Sequence, residues 1–301
     1  MIKLRPGLEA HLSVMSFNID GYFSNRGEEH QWANRAHLVL ETLKTHRTDV
    51  IVCQEVQPGN FDYLQPGFWE YGQYRGLATV EADPSGLATY NPIVWRREKL
   101  EHLEAGSFYL SKTPDAWSKD WDSMSVRGAT WVLLRSRATC REFVVVNTHL
   151  DHVGRQARRE SSRLIIDHVD RLCRKRRCSV ILLGDFNSRA WAPPSESPTD
   201  YAAPVLPEAL PPGGEVHAIY TGHGFKDSYQ EAGFDNTLDM NTDHDYCGAQ
   251  FPPAALRIDW ILYRARGRDL TLRGFRTIRD EEAGQFPSDH YPIVAEFTLH
   301  G

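Results

Sequence analysis

The chain has 301 residues, 41% of them hydrophobic and 25% charged, with a formal net charge of -6. That length can bury a sizeable core, and the acidic balance excludes a surface that grips nucleic acid everywhere while leaving room for a local basic patch. Five cysteines without a CxxC pair exclude a zinc cage and a disulfide framework, so a reducing cytoplasm is the expected setting. Residues 1–10 carry Lys3, Arg5 and Glu9 and no apolar signal core, and no run approaches the ~18 apolar residues that span a bilayer. No membrane association is expected.

Residues 12–19 alternate apolar with small polar residues, which predicts a strand with Asn18 at its end, before a turn at Gly21. Trp32, Ala36, Val39, Leu40 and Leu43 fall on one face of a helix over 31–46. Residues 49–55 read as a buried strand ending in Glu55. A glutamate there is ordinarily solvated, but this one follows an uncharged run directly and becomes a candidate site residue. Residues 87–95 read as a further strand, with Pro92 pointing to an edge or a bulge. Residues 108–127, rich in Trp, Ser and Asp, read as a structured loop.

Residues 129–134 and 142–149 predict two adjacent antiparallel strands, the second running into His149-Leu150-Asp151-His152. Two histidines flanking a carboxylate at a strand end favour function over packing. A helix follows over 156–177, and its terminal Arg174-Lys175-Arg176-Arg177 reads as a solvated end that suits the helix dipole. Residues 180–183 are four apolar residues in a row, which predicts a strand buried on both faces. Gly184 breaks the run, and Asp185 and Asn187 project the same way from its end. Both residues also suit an ordinary turn.

Residues 191–214 hold seven prolines without periodicity, which predicts a long loop close enough to Asn187 to overhang it. Residues 256–263 read as a strand carrying Asp259, a carboxylate costly to bury without a partner, and His290 can supply one. Without a linker or repeat, one domain over 1–301 is the economical reading. The polar residues at strand ends are Asn18, Glu55, His149, Asp185, Asn187, Asp259, Asp289 and His290. On one shared rim, their oxygen donors would suit Mg²⁺ or Mn²⁺ rather than zinc.

Six motifs occur in order: Ser16-Phe17-Asn18-Ile19, Gln54-Glu55-Val56, Asn147-Thr148-His149-Leu150-Asp151-His152, Gly184-Asp185-Phe186-Asn187, Arg257-Ile258-Asp259 and Ser288-Asp289-His290. Together the set resembles the endonuclease/exonuclease/phosphatase superfamily, to which DNase I and exonuclease III belong, over residues 12–297. Residues 106–114, Trp121-Asp122 and Arg127 further resemble a bacterial branch of undefined substrate. The resemblance implies an α/β fold, a four-layer α-β-β-α sandwich of two packed mixed β-sheets flanked by helices. It implies that Glu55 binds the metal, supported by Asn18 and Asp289, and that Asp185 orients or deprotonates the attacking water. Asn187 would hold a phosphate oxygen, and His149 and His290 would stabilise charge on the phosphoryl group, with Asp259 orienting His290. Arg127 and His152 would contact the substrate. One departure stands out: relatives often carry Gly-Glu where this chain has Ala88-Thr89, so a carboxylate supporting His149 is expected to be missing.

The expected activity is Mg²⁺- or Mn²⁺-dependent hydrolysis of a phosphodiester, in a small molecule or a single-stranded nucleic acid. Phosphomonoesterase and DNA endonuclease are the alternatives within the family, and a non-catalytic phosphate-binding module is the alternative outside it. No obligate protein partner is expected.

Overall fold

The apolar runs at 50–54, 142–149 and 179–185 each form a strand that is buried almost throughout. The structure is a computed structural model, which describes residues 7–22, 27–80, 88–192 and 214–301. In chain order, β1 (Glu9–Asn18) precedes α1 (Trp32–His46), β2 (Val50–Gln54) and α2 (Pro58–Leu64). Four short strands follow: β3 (Tyr71–Tyr74), β4 (Thr79–Val80), β5 (Ala88–Thr89) and β6 (Ile93–Arg96). Next come β7 (Leu100–Tyr109), β8 (Gly128–Ser136), β9 (Glu142–His149), α3 (Arg155–Arg176) and β10 (Ser179–Asp185). The chain closes with α4 (Glu215–Gly222), β11 (Lys226–Asp227), α5 (Ser228–Glu231), β12 (Asp259–Arg264), β13 (Leu270–Thr277) and β14 (Ile293–His300).

Two six-stranded mixed sheets result, ordered β13-β14-β1-β2-β6-β3 and β11-β12-β10-β9-β8-β7. The pairs β1–β2 and β9–β10 are parallel, and the other pairs within these sheets are antiparallel. The sheets pack face to face through Leu12, Val14, Val50 and Val52 on one side and Val145, Ile181, Leu183 and Ile261 on the other. Helices α1 and α2 cover the outer face of the first sheet, with Trp32, Val39 and Phe61 against Met15, Phe17 and Ile51. Helices α3 and α4 cover the second, with Ile165, Val169 and Tyr220 against Val144, Val180 and Leu182. This is the expected four-layer sandwich. Among the described residues, no helix is long and apolar enough to cross a membrane.

Several local readings need correction. The strand expected over 87–95 is two pieces, β5 and β6, because proline cannot donate into the ladder and Pro92 falls between them. Strand β6 is interior, not an edge. The loop expected from Phe108 begins two residues later, since Phe108 and Tyr109 end β7. Strands β7 and β13 went unread because both lie at sheet edges, where one side is solvated and residues such as Glu101, Glu104, Arg273 and Arg276 are tolerated. The strand expected from 256 starts at Asp259. Arg158, in the first turn of α3, is buried and donates to Asp151 O at 2.7 Å. Of the proline-rich stretch, residues 193–213 lie outside those described.

Close beneath the second sheet's free end, Arg257 holds the entry to β12. Its Nη2 donates to Asp227 Oδ2 at 2.6 Å, and His217 Nε2 lies 2.9 Å from the same oxygen. Burial pushes the Asp227 carboxyl up, but Arg257 and His217 more than offset it and hold it at about 2. The stabilisation from this pair is therefore complete above about pH 4 and lost as pH falls toward about 2. Asp227→Asn strands a buried guanidinium, and is expected to cost about 3–5 kcal/mol in urea unfolding at pH 7. The gap from wild type should shrink as the pH falls below 4.

Candidate active site

Side-chain alternation decides which polar residues meet. Along β1, Leu12 and Val14 face the second sheet, so Ser16 and Asn18 face it too. The same parity turns Asn147 and His149 on β9, Asp185 on β10 and Asp259 on β12 into the crevice between the sheets, in line with Val145, Leu183 and Ile261. Register completes the alignment: Asp185 lies opposite His149 on one side and Asp259 on the other. Gly184 is required here. Its φ is +150°, and a Cβ would come 1.9 Å from Thr148 O, so only glycine lets β9 and β10 close just before the site.

From the first sheet, Asn18 Nδ2 donates to Glu55 Oε1 and to Asp185 Oδ2, both at 3.0 Å. Glu55 therefore meets Asp185 across the crevice, as expected. Its φ of +60° is the left-handed region, a strained backbone for glutamate that turns the chain sharply after β2. Asn18 Oδ1 is taken by the Asp20 N–H at 3.1 Å. Asn18 thus positions the two carboxylates with its amide hydrogens while its oxygen faces its own turn.

On the second sheet, His149 Nε2 lies 3.5 Å from Asp185 Oδ2 and 3.9 Å from Glu55 Oε1. Asn187 Nδ2 donates to Leu150 O and to His149 Nε2, both at 2.9 Å. Both amide hydrogens expected to meet a phosphate oxygen are thus engaged, and Asn187 orients His149 in this arrangement. His290 Nδ1 lies 2.8 Å from Asp259 Oδ2, the pairing expected from sequence. Ser288 Oγ donates to Asn18 O at 2.8 Å, which brings the His290 loop against the end of β1.

Asp289 takes a different place. Its Oδ1 is 3.1 Å from Ser288 Oγ, and among the described residues it joins neither of the two clusters able to hold an ion. Arg127, expected to contact the substrate, is buried at 4% exposure and donates to Nδ1 of the exposed His152 at 3.1 Å. Asp151, 3.9 Å from Arg127 Nε, accepts from the N–H groups of Ser125, Val153 and Gly154. Burial raises its carboxyl, but those backbone bonds and Arg127 bring it down to about 2. Thr89, where a glutamate was looked for, shares a 2.8 Å hydrogen bond with Thr79 across β4–β5. Among the described residues, the carboxylates of Glu55 and Asp185 both lie within 4 Å of His149 Nε2.

The two histidines differ in charge. Burial drives His149 well below the usual imidazole value, and Arg127, His152 and His290 push it the same way. His290 loses by burial as well, yet attraction from Asp259, Asp289 and Asp185 lifts it well above that value. The proton is thus favoured on His290 and disfavoured on His149. Burial and the repulsion of Asp259 raise Asp185 to about 7.

The donor set fits a hard cation. Glu55, His149 and Asp185 present ligand atoms within 4.8 Å of one another, as do Asp185, Asp259 and His290. With Asn187 donating to His149 Nε2, the first group is three electron-pair donors facing one another, which favours a positive ion between them. Asp259 Oδ1 is also buried without a hydrogen-bond partner.

Sequence reading passed over Arg35, which is fully buried and spends all five N–H donors on carbonyls. It binds His30 O, Ile19 O, Pro287 O, Asp20 O and Gly21 O at 2.6–2.9 Å, clamping the loop after Asn18 to the loop before His290. The signal was present: an arginine at the i+3 position from Trp32, on the apolar stripe of α1.

Asp259→Asn removes the charge that holds the proton on His290. In NMR titrations the His290 imidazole should lose its proton at lower pH in the variant than in wild type. An unchanged titration would show that Asp259 does not set its charge.

A model of the Endonuclease/Exonuclease/phosphatase family matches residues 15–290. The chain is 24% identical over 331 aligned positions to the CCR4-Not complex 3'-5'-exoribonuclease subunit Ccr4 of Aspergillus niger, covering 90% of this chain and 48% of that protein. It spans at most about half the length of the curated relatives it matches first. Among solved structures, an endonuclease/exonuclease/phosphatase family protein from Bacteroides thetaiotaomicron superposes with a TM-score of 0.75 at 23% identity, over 97% of this chain and 96% of the other. A mannosyl-6-phosphatase of the same species gives 0.69 at 23% identity, over 95% and 99%. With the family model spanning both sheets and the crevice between them, the chain belongs to the Endonuclease/Exonuclease/phosphatase family.

Proposed function

We propose that this protein is a divalent-metal-dependent phosphoesterase acting on a phosphodiester, in a small molecule or a single-stranded nucleic acid. The observation that carries the reading is the convergence of Glu55, His149, Asp185, Asp259 and His290 on one crevice, with two overlapping groups of ligand atoms each within 4.8 Å. Glu55 and Asp185 are the oxygen donors best placed to hold Mg²⁺ or Mn²⁺ with His149, and Asn18 sets the spacing of the two carboxylates. Asp289 would act on the ion through water. When bound, the ion supplies Lewis-acid polarisation of a phosphoryl oxygen and charge neutralisation.

The protein's own groups do the remainder. Asp185 orients the attacking water and takes its proton through the carboxylate oxygen left beside the ion. Protonated His290, steadied by Asp259, faces the negative charge that grows on the phosphoryl oxygens. His149 contributes an uncharged nitrogen, and Asn187 can trade its bond to His149 for a phosphate oxygen. Arg127, fixed and buried beside Asp151, supplies a cation at the rim, with exposed His152 as its outer partner.

One relative is named for RNA and another for a phosphosugar, so one fold accommodates both kinds of phosphoester. A small or single-stranded substrate is favoured over duplex DNA, because duplex binding demands a broad cationic face and the chain's net charge is -6. A single domain, a reducing cytoplasm consistent with five free cysteines, and action without an obligate protein partner complete the proposal.

A panel of bis(p-nitrophenyl) phosphate, p-nitrophenyl phosphate, single-stranded oligonucleotides and duplex DNA tests it. Turnover should vanish with EDTA, return with Mg²⁺ or Mn²⁺, and favour the diester over the monoester. Glu55→Gln should lower kcat/KM by about 10²–10³-fold, on the order of one lost charge-stabilising contact. Tight phosphate binding without any metal-dependent turnover would instead mark a non-catalytic binding module.

A further inference from the structure

Two exposed tyrosines, Tyr22 in the turn after β1 and Tyr63 on α2, are not used by the chemistry above. Gly21 lets the chain pass the site turn: a Cβ there would come 2.4 Å from Glu55 O and 2.7 Å from Gln57 Oε1. The next residue, Tyr22, is held by its N–H donating to Gln57 Oε1 at 2.7 Å. Its ring then lies across the first turn of α2, where Gly59 clears the way, since a Cβ there would sit 2.6 Å from the Tyr22 hydroxyl. Tyr63 stands one helical turn beyond Gly59. Buried Trp32 meets both rings edge-on, at 6.1 Å from Tyr22 and 6.0 Å from Tyr63. Yet Tyr22 and Tyr63 remain 47% and 44% exposed.

A single exposed tyrosine needs no explanation. Here two glycines are cleared and one buried indole is committed so that two rings stand open beside a metal-binding turn. On the other flank of that turn, where Val56 bridges to Tyr90, Arg75 lies 4.5 Å from the Phe61 ring and 5.5 Å from the Tyr90 ring. That planar cation suits a neighbouring phosphate. We infer that Tyr22, backed by Tyr63, stacks a nucleobase of a substrate whose phosphodiester lies between Glu55 and Asp185. The inference rests on the phosphoesterase reading and narrows its substrate class to nucleotides and single strands over base-free diesters. Stacking accepts any base and needs no broad basic face, which agrees with the chain's charge of -6. A duplex keeps its bases stacked on one another and offers no ring to the shelf.

Fluorescein-labelled hexathymidylate and an abasic hexamer carry the same phosphates, so their difference in binding isolates the base. Both are titrated by anisotropy with Ca²⁺ in place of Mg²⁺, and the oligomers are checked for cleavage afterwards. Wild type should prefer hexathymidylate by about tenfold, the scale of one stacked base. Tyr22→Ala should abolish the preference and leave abasic binding within about twofold, Tyr63→Ala should reduce it, and Tyr22→Phe should keep it. Equal wild-type affinity for the two oligomers, binding of neither, or an equal loss for both in Tyr22→Ala overturns the shelf. Turnover of bis(p-nitrophenyl) phosphate in Mg²⁺ is followed in parallel. A wild type that prefers the base-bearing strand yet hydrolyses nothing keeps the shelf and removes the phosphoesterase reading.

Discussion

Beneath the crevice, Gln54 Nε2 donates to Asn147 Oδ1 at 2.7 Å, a hydrogen bond between the two sheets at positions fully shielded from water. The amide of Asn147 in turn donates to Cys53 O at 2.8 Å and Pro92 O at 2.9 Å, fastening β9 to the ends of β2 and the approach to β6. Lower down, the sheets meet through aliphatic side chains that tolerate sliding. At this layer contact becomes directional, and a lost partner leaves a buried amide unpaired at roughly 1–3 kcal/mol. One layer higher, Asn18 repeats the device by bonding a carboxylate on each sheet. Separation of the functional groups is therefore set by amides whose lengths are fixed, and the sheets' packing distance follows.

Charge is then gathered where geometry has already fixed the groups. Asp185 and Asp259 lie directly opposite one another on paired strands, both 2% exposed, an arrangement that costs free energy without nearby positive charge. Charged His290 supplies part of the balance, and a divalent ion supplies the rest in the proposed chemistry. The surroundings are stiffened accordingly. Arg35 clamps the Asn18 and His290 loops through five carbonyls, while Arg257 pins the start of β12 to Asp227. Each of these arginines is buried with its donors directed at fixed acceptors, so the loops carrying the site behave as part of the scaffold.

The rim also divides by character. From the second sheet come Arg127, His149 and His152, and His290 reaches Asp259 of that sheet from the loop before β14. On the first sheet's side stand Glu55 and the aromatic rings beyond it. A substrate with a phosphate at one end and a flat ring at the other matches that division without requiring the protein to move.

Much of this was legible in the residues themselves. Runs such as 180–183 announce interior strands because burial on both faces admits only apolar side chains, and an Asp or His directly after such a run is out of place unless it has a task. That logic singled out Asn18, Glu55, His149, Asp185, Asp259 and His290, which the fold brings together, and the order of their motifs pointed to the family. Edge strands β7 and β13 escaped because half-solvated residues carry no strong alternation. What no linear reading could supply was the pairing across the sheets. Asn187 donates to His149, Asp289 is in neither of the two groups of described residues that could hold an ion, Asn18 offers hydrogens where an oxygen was expected, and Arg127 is buried. Identity fixes what a side chain can donate or accept. Which partner it meets depends on contacts between residues as far apart in sequence as Asn18 and Ser288, and only packing of the two sheets brings those together.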